Sequence, residues 1–250
     1  SENLIDGNQV MTSSQEALYI AGTYGTTVTE RNILKGSCVV MYSDVNRTKE
    51  SKKVIEDCNY SDLEGEIWNL NYYVYLYNSS WVTLDSFTYE KINKDYAFYI
   101  TESDNITINS VRVTSIEKGE YMGLRIVSSE DISVSNSQFE KLDEGIYSSD
   151  SEFLDFRNNV FTNCDAGIVD AGSGDVIIEQ NSFRNSAIGI LLTDSVFFTV
   201  ENNGLRNDRI REMLGTGIGI YVDSSIHGSI INNQISGFDV AGIIYSSVSY

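Results

Sequence analysis

Proline is absent from all 250 residues, where average usage of about 5% would give roughly a dozen. Proline cannot donate to a β ladder and survives there only at edges and bulges, so its absence suits a chain whose backbone N–H groups are paired on both sides. Basic residues are also few. Seventeen against 36 acidic residues give a formal net charge of -19, which repels nucleic acid and anionic lipid and leaves cations or other surfaces as partners. No run of about 18 apolar residues is available for membrane insertion, and SENLIDGNQV has neither the basic start nor the apolar stretch of a signal peptide. There is one histidine, and the three cysteines, Cys38, Cys58 and Cys164, show neither CxxC nor Cys/His metal spacing. An odd count leaves at least one thiol outside any internal pair, so buried thiols, an internal disulfide and a disulfide to another subunit all stay open.

What is present argues for a folded chain. Sixteen tyrosines, ten phenylalanines and dense β-branched residues exclude the disorder that strong acidity can bring. A repeat then organises the sequence. GLRIVSSEDISVSNSQFEKLDE from Gly123, GIYSSDSEFLDFRNNVFTNCDA from Gly145 and GIVDAGSGDVIIEQNSFRNSAI from Gly167 are each 22 residues long and align without a gap. Further units start at Gly189, Gly219 and Gly242, and the phases extend back to starts at Ala97, Tyr73, Ser37 and Ala17. Two excess stretches, near 44–53 and 206–216, are polar and charged and read as surface loops on a single domain covering residues 1–250.

Counting each unit's first residue as offset 0, apolar residues recur at offset 1 (Leu124, Ile146, Ile168), offset 11 (Val134, Phe156, Ile178) and offset 16 (Phe139, Phe161, Phe183). Offset 14 holds Asn159, Asn181, Asn203 and Asn233, which predicts an amide ladder at one corner of a stack. Each unit reads as three short strands of period-2 alternation. One unit is therefore one coil of an all-β solenoid of about ten coils, which at a strand spacing of about 4.8 Å makes a rod about 50 Å long.

The G-I…S…I-x-V…N-x-F pattern resembles the parallel β-helix repeats of the pectin-lyase-like superfamily, and the resemblance implies a right-handed parallel β-helix. It implies fold rather than activity. Polygalacturonase-like enzymes of that superfamily carry N-T-D, D-D, G-H-G and R-I-K motifs. Here only His227-Gly228 survives, preceded by Ile226, and the D-P-H-D of alginate-epimerase-like relatives is impossible without proline. His227 between apolar neighbours reads as a packed or surface residue. Asp150 and Asp194 fall two coils apart, about 10 Å, too far to share one ion. No cofactor is expected, calcium being the one ion the acidity leaves open. The arginines Arg206, Arg209 and Arg211 lie in the second loop, the best place for a hidden active site, which reads more simply as a surface loop or a contact between subunits.

No capping segment is evident at either end, and open solenoid edges template association. Ile5, Asn8 and Val10 fall on offsets 11, 14 and 16, whereas Ile243, Tyr245 and Val248 belong to a coil that stops at Tyr250. Joining the two ends gives one coil of ordinary length, so head-to-tail assembly is expected, a cut from a longer β-helix being the alternative. Tyr73, Tyr75 and Tyr77 alternate with Val74 and Leu76 and are expected outward, packing against a neighbouring rod, stacking on sugar rings or lying under a loop. N-x-S/T sequons at Asn46, Asn59, Asn78 and Asn105 are glycosylation candidates. These features point to an extracellular, non-enzymatic structural protein of the cell surface, a sheath, layer or fibre that polymerises with itself and contacts surface glycans. That reading resembles archaeal surface-layer and sheath proteins, methanogens especially. A polysaccharide-binding or polysaccharide-cleaving β-helix, such as a tailspike fragment, is the alternative, and a passive adhesin segment is a third possibility.

Overall fold

A computed structural model describes residues 3–6, 8–12, 18–23, 25–28, 33–36, 40–43, 45, 49–51, 54–56, 72–92, 95–116, 121–208 and 217–246. The unit from Gly145 shows how a coil is made. Its strands Glu144–Ser149, Glu152–Arg157 and Val160–Thr162 are separated by Asp150 and Asn158, with Asn163 closing the turn, at φ 49°, 56° and 58°. Asn and Asp enter this left-handed region more readily than most residues, so they set the corners. The alternating Ile146, Leu154, Phe156 and Phe161 point inward and are buried.

Each strand pairs in parallel with its counterpart one coil on: Ile146 with Ile168, Leu154 with Val176, Phe161 with Phe183. The glycine face, whose strands carry the Gly step, runs ten strands from Leu18–Ala21 to Ala241–Ser246. The middle face also has ten, from Asn3–Ile5 to Ser229–Ile231. The short face is continuous over seven strands, Thr88–Ile92 to Gln234–Ser236, with Gln9–Thr12, Ile33–Gly36 and Val54–Glu56 forming a separate three-stranded sheet. The protein is thus an all-β parallel solenoid whose three faces run together for about seven turns, slightly fewer than the ten counted from sequence phase.

The core explains why glycine opens each unit. A Cβ on Gly145 would sit 2.4 Å from Phe161 Cδ1 and 2.6 Å from the Gly167 carbonyl oxygen, and Gly167 stands in the same relation to Phe183. The glycine makes room for the Phe ring of its own coil. Phe139, Phe161 and Phe183 then stack with centroids 5.3 and 4.8 Å apart, a geometry worth about 0.5–1.5 kcal/mol per pair beyond area burial.

Polar corners are satisfied by ladders. The N–H groups of Ser137, Asn159, Asn181 and Asn203 donate to Oδ1 of Asn159, Asn181, Asn203 and Asn233 at 2.9–3.0 Å. A second ladder, of serines, links Ser79, Ser103, Ser129, Ser151 and Ser173 from N–H to Oγ at 3.1–3.3 Å. It is interrupted at Asp170, a carboxylate in an inward column that accepts from Ser148 and Ser195 hydroxyls at 2.6 and 2.5 Å. Burial raises its pKa against the pull of those hydrogen bonds.

Three expectations change. Val40 pairs with Val74, so the unit placed from Ser37 begins two residues later. Lys49–Ser51, expected in a loop, pairs with Thr83–Asp85 on the middle face; pairing is decided by backbone register with adjacent coils, which hydropathy does not report. Tyr73 is buried, 4% exposed, and packs on Tyr89 at 4.9 Å; its strand opens with two successive buried residues, Tyr73 and Val74, where strict alternation expects one.

Candidate functional site

One position per coil departs from the chemistry of the other corners. At offset 8, just inside the middle-face strands and, for His227, just before its strand, the left-handed conformation is held in turn by Trp81, Asn105, Asp131, Phe153, Asp175, Phe197 and His227, with φ between 50° and 59°. Asn and Asp suit this conformation. Trp and Phe do not, since a left-handed residue bearing a side chain costs about 1–2 kcal/mol. Trp81, Phe153 and Phe197 are nevertheless 56%, 45% and 55% exposed, so no core burial offsets that cost. Strain retained at an exposed site is a pointer to function.

These rings border two adjoining depressions along the rod, of about 380 and 590 Å³, that share Phe153 and Asp155. The first runs from Trp81 past Asn105 and Asp131 to Phe153; the second continues past Asp175 to Phe197 and His227. Hydroxyls of Thr83, Thr107, Ser133, Thr199 and Ser229 line the floor. His227 stacks on Phe197 with centroids 5.1 Å apart, so it extends an aromatic platform. Asp155 is held by Arg157 at 2.5 Å, and Arg157 also reaches Glu179 at 2.7 Å. The groove therefore offers flat apolar faces, hydroxyls and carboxylates along one line.

A second cluster lies on the glycine face. The Arg125 guanidinium sits 5.0–5.9 Å from the ring centroids of Tyr96, Tyr99 and Tyr147. Beside it, the Glu144 carboxyl is pushed up to about 7, by burial first and by Asp143 second, while Arg125 opposes the shift. Tyr75 packs on Tyr72 and Tyr99 here, and Tyr77 on Tyr75.

Other expected site residues fall elsewhere. Asp150 and Asp194 are exposed left-handed turn residues. Cys164 is buried with Sγ directed at the Phe139 carbonyl, 3.6 Å away, out of reach of another subunit; Cys38 and Cys58 lie outside the described residues. Arg206 is exposed and pairs with Asp208 at 2.5 Å, whereas Arg209 and Arg211 are outside. Asn78 is exposed and Asn105 half-buried; Asn46 and Asn59 are outside. Ile5 is half-buried, and the Asn8 amide donates to the Asp6 carbonyl at 3.2 Å. Ile243 and Tyr245 are exposed, and the Val10 side chain and Val248 are outside. The aromatic groove escaped sequence reading, although aligned offset 8, with rings among Asn and Asp, carries its signal.

Among the described residues no group of three or more His, Cys, Asp or Glu converges.

Solved structures of the same fold include PfbA, a surface adhesin of Streptococcus pneumoniae, at 15% identity and TM-score 0.57, covering 96% of this chain and 82% of that one. A hyperthermoactive exopolygalacturonase from Thermotoga maritima follows at 11% and 0.56, covering 89% and 72%. The receptor binding domain of the Siphovirus 9NA tailspike matches at 8% and 0.53, covering 93% of this chain and 51% of that one. At such identities the likeness is one of fold. None of the curated proteins matches the sequence. The model of one family, described as periplasmic copper-binding protein (NosD), matches residues 46–242, most of the chain, and the chain belongs to that family.

Proposed function

We propose that this protein binds an extended glycan along its middle face, as an extracellular or envelope module that holds its ligand without cleaving it. The observation that carries the reading is the set of exposed rings, Trp81, Phe153 and Phe197, kept at left-handed positions beside a hydroxyl-lined groove. Sugar rings stack on such faces through their C–H surfaces, and the hydroxyl floor supplies hydrogen bonds. Coils rise about 4.8 Å each, close to one sugar unit of an extended chain, so a glycan along the axis stays in step with the ladder.

Cleavage by paired carboxylates needs a general acid whose proton is retained by burial. Asp131 and Asp175 are exposed and Asp155 is tied to Arg157, an arrangement suited to binding. Among the described residues the copper named in the family description meets no matching donor set: the one histidine is stacked on Phe197 and Cys164 is buried, where copper sites use converging imidazole and sulfur ligands. End-to-end assembly stays outside the proposal, because a further coil of chain would cover exposed Ile243 and Tyr245 as well as a second copy would.

The test is retention of the purified chain on a panel of immobilised polysaccharides, with Phe153→Ala/Phe197→Ala alongside. Retention that the double variant loses is expected. Equal retention of both proteins would place binding elsewhere and sink the reading.

A further inference from the structure

The charges of the groove select among glycans. Neither depression is lined by a lysine or arginine, while Asp131, Asp155 and Asp175 all contribute to the walls. A nearby cation, Arg157, is engaged by Asp155 and Glu179. The whole chain, at -19, adds a field of the same sign.

From this complementarity we propose that the ligand is a glycan carrying free amino groups, a polymer of protonated hexosamine units. The inference rests on the glycan reading above and names its chemical class. Along the ladder each carboxylate alternates with a ring: Asp131 is one coil from Phe153, and Asp175 lies between Phe153 and Phe197. One coil is about 4.8 Å, so a sugar stacked on Phe153 places the substituents of its neighbouring units near Asp131 and Asp175. An ammonium there gains charge-assisted hydrogen bonds to the carboxylates and attraction to the ring faces. A uronate chain would set its carboxylates against the same aspartates and be repelled. A neutral or N-acetylated chain would keep the stacking and lose the charge term.

The experiment measures binding of three soluble oligomers of matched length, glucosamine, N-acetylglucosamine and galacturonate, to the intact chain by calorimetry at mildly acidic pH. The glucosamine oligomer is expected to bind tightest and to be the most weakened by added salt. Asp131→Asn and Asp175→Asn keep a residue type that already occupies the ladder at Asn105, and each should lower glucosamine affinity about threefold to fivefold, a larger loss than for N-acetylglucosamine. Equal binding of the free and acetylated oligomers, or Asn variants that bind glucosamine as well as the parent, would overturn the amino-sugar class and leave the glycan reading standing. Preference for galacturonate would overturn it likewise. Failure of all three oligomers, together with no retention on any polysaccharide, would overturn both.

Discussion

The imidazole of His227 lies against the ring of Phe197 from the preceding coil, with centroids 5.1 Å apart and planes 15° from parallel. Both residues hold left-handed φ, 59° and 57°, so repetition of one backbone bend at each coil produces the stack. A corner that elsewhere uses Asn or Asp for economy of conformation here presents rings to solvent, and it is this substitution of type that can be tested.

Replacing Phe153 by Asn should separate stability from binding. Asn is at ease where Phe is strained, so the variant is expected to gain up to about 1 kcal/mol in urea unfolding. Retention on polysaccharide should fall about tenfold. A variant that loses stability instead would assign the ring a structural role.

Gly167→Ala is expected to destabilise strongly. The new Cβ would meet Phe183 Cδ1 at 2.4 Å and the Gly189 carbonyl oxygen at 2.6 Å, and the backbone contact cannot be relieved by a rotamer change. Overpacking of this kind costs about 1–3 kcal/mol, readable as a lower denaturant midpoint.

Asn181→Leu removes an acceptor for the Asn159 N–H at 2.9 Å and a donor to the Phe156 carbonyl at 2.8 Å. Each buried group left without its partner costs about 1–3 kcal/mol. Thermal unfolding should show the loss, while the analogous change at the half-buried Asn233 should cost less.

Stability should fall as pH rises from mildly acidic values. Glu144, pushed up to about 7 from 4.5, keeps its proton longer in the folded state, as do Asp143 and Asp170, whose pKa values burial also raises. Stability from these groups is full below their unfolded values and declines until pH passes the folded ones. Glu144→Gln should therefore match the parent near pH 4 and have the higher Tm above about pH 7. A parent Tm that rises across this range would contradict the assignment.

The parts of this molecule that were legible share one property. Gly at offset 0, Phe at offset 16 and Asn at offset 14 act on the same residue type in adjacent coils, so alignment of the units exposes them. Tyr73 was misplaced because strict alternation expects one inward residue in two, and its strand opens with two buried residues in a row. Lys49–Ser51 was misplaced because its polarity conceals a strand that its neighbours' register recruits. Trp81, Phe153 and Phe197 went unnoticed since each is unremarkable within its own unit; their meaning lies in a shared line across coils.

By itself the sequence determined the solenoid: an ungapped repeat, strand-length apolar alternation and turn-forming Asn and Asp leave few ways to bury the apolar columns except by stacking coil on coil. Only the tertiary structure decided which exposed residues form a site. Residues at offset 8 in units separated by 44 positions, such as Phe153 and Phe197, become members of one groove only once coils stack in register at about 4.8 Å, and their left-handed strain becomes visible only in the backbone that stacking imposes.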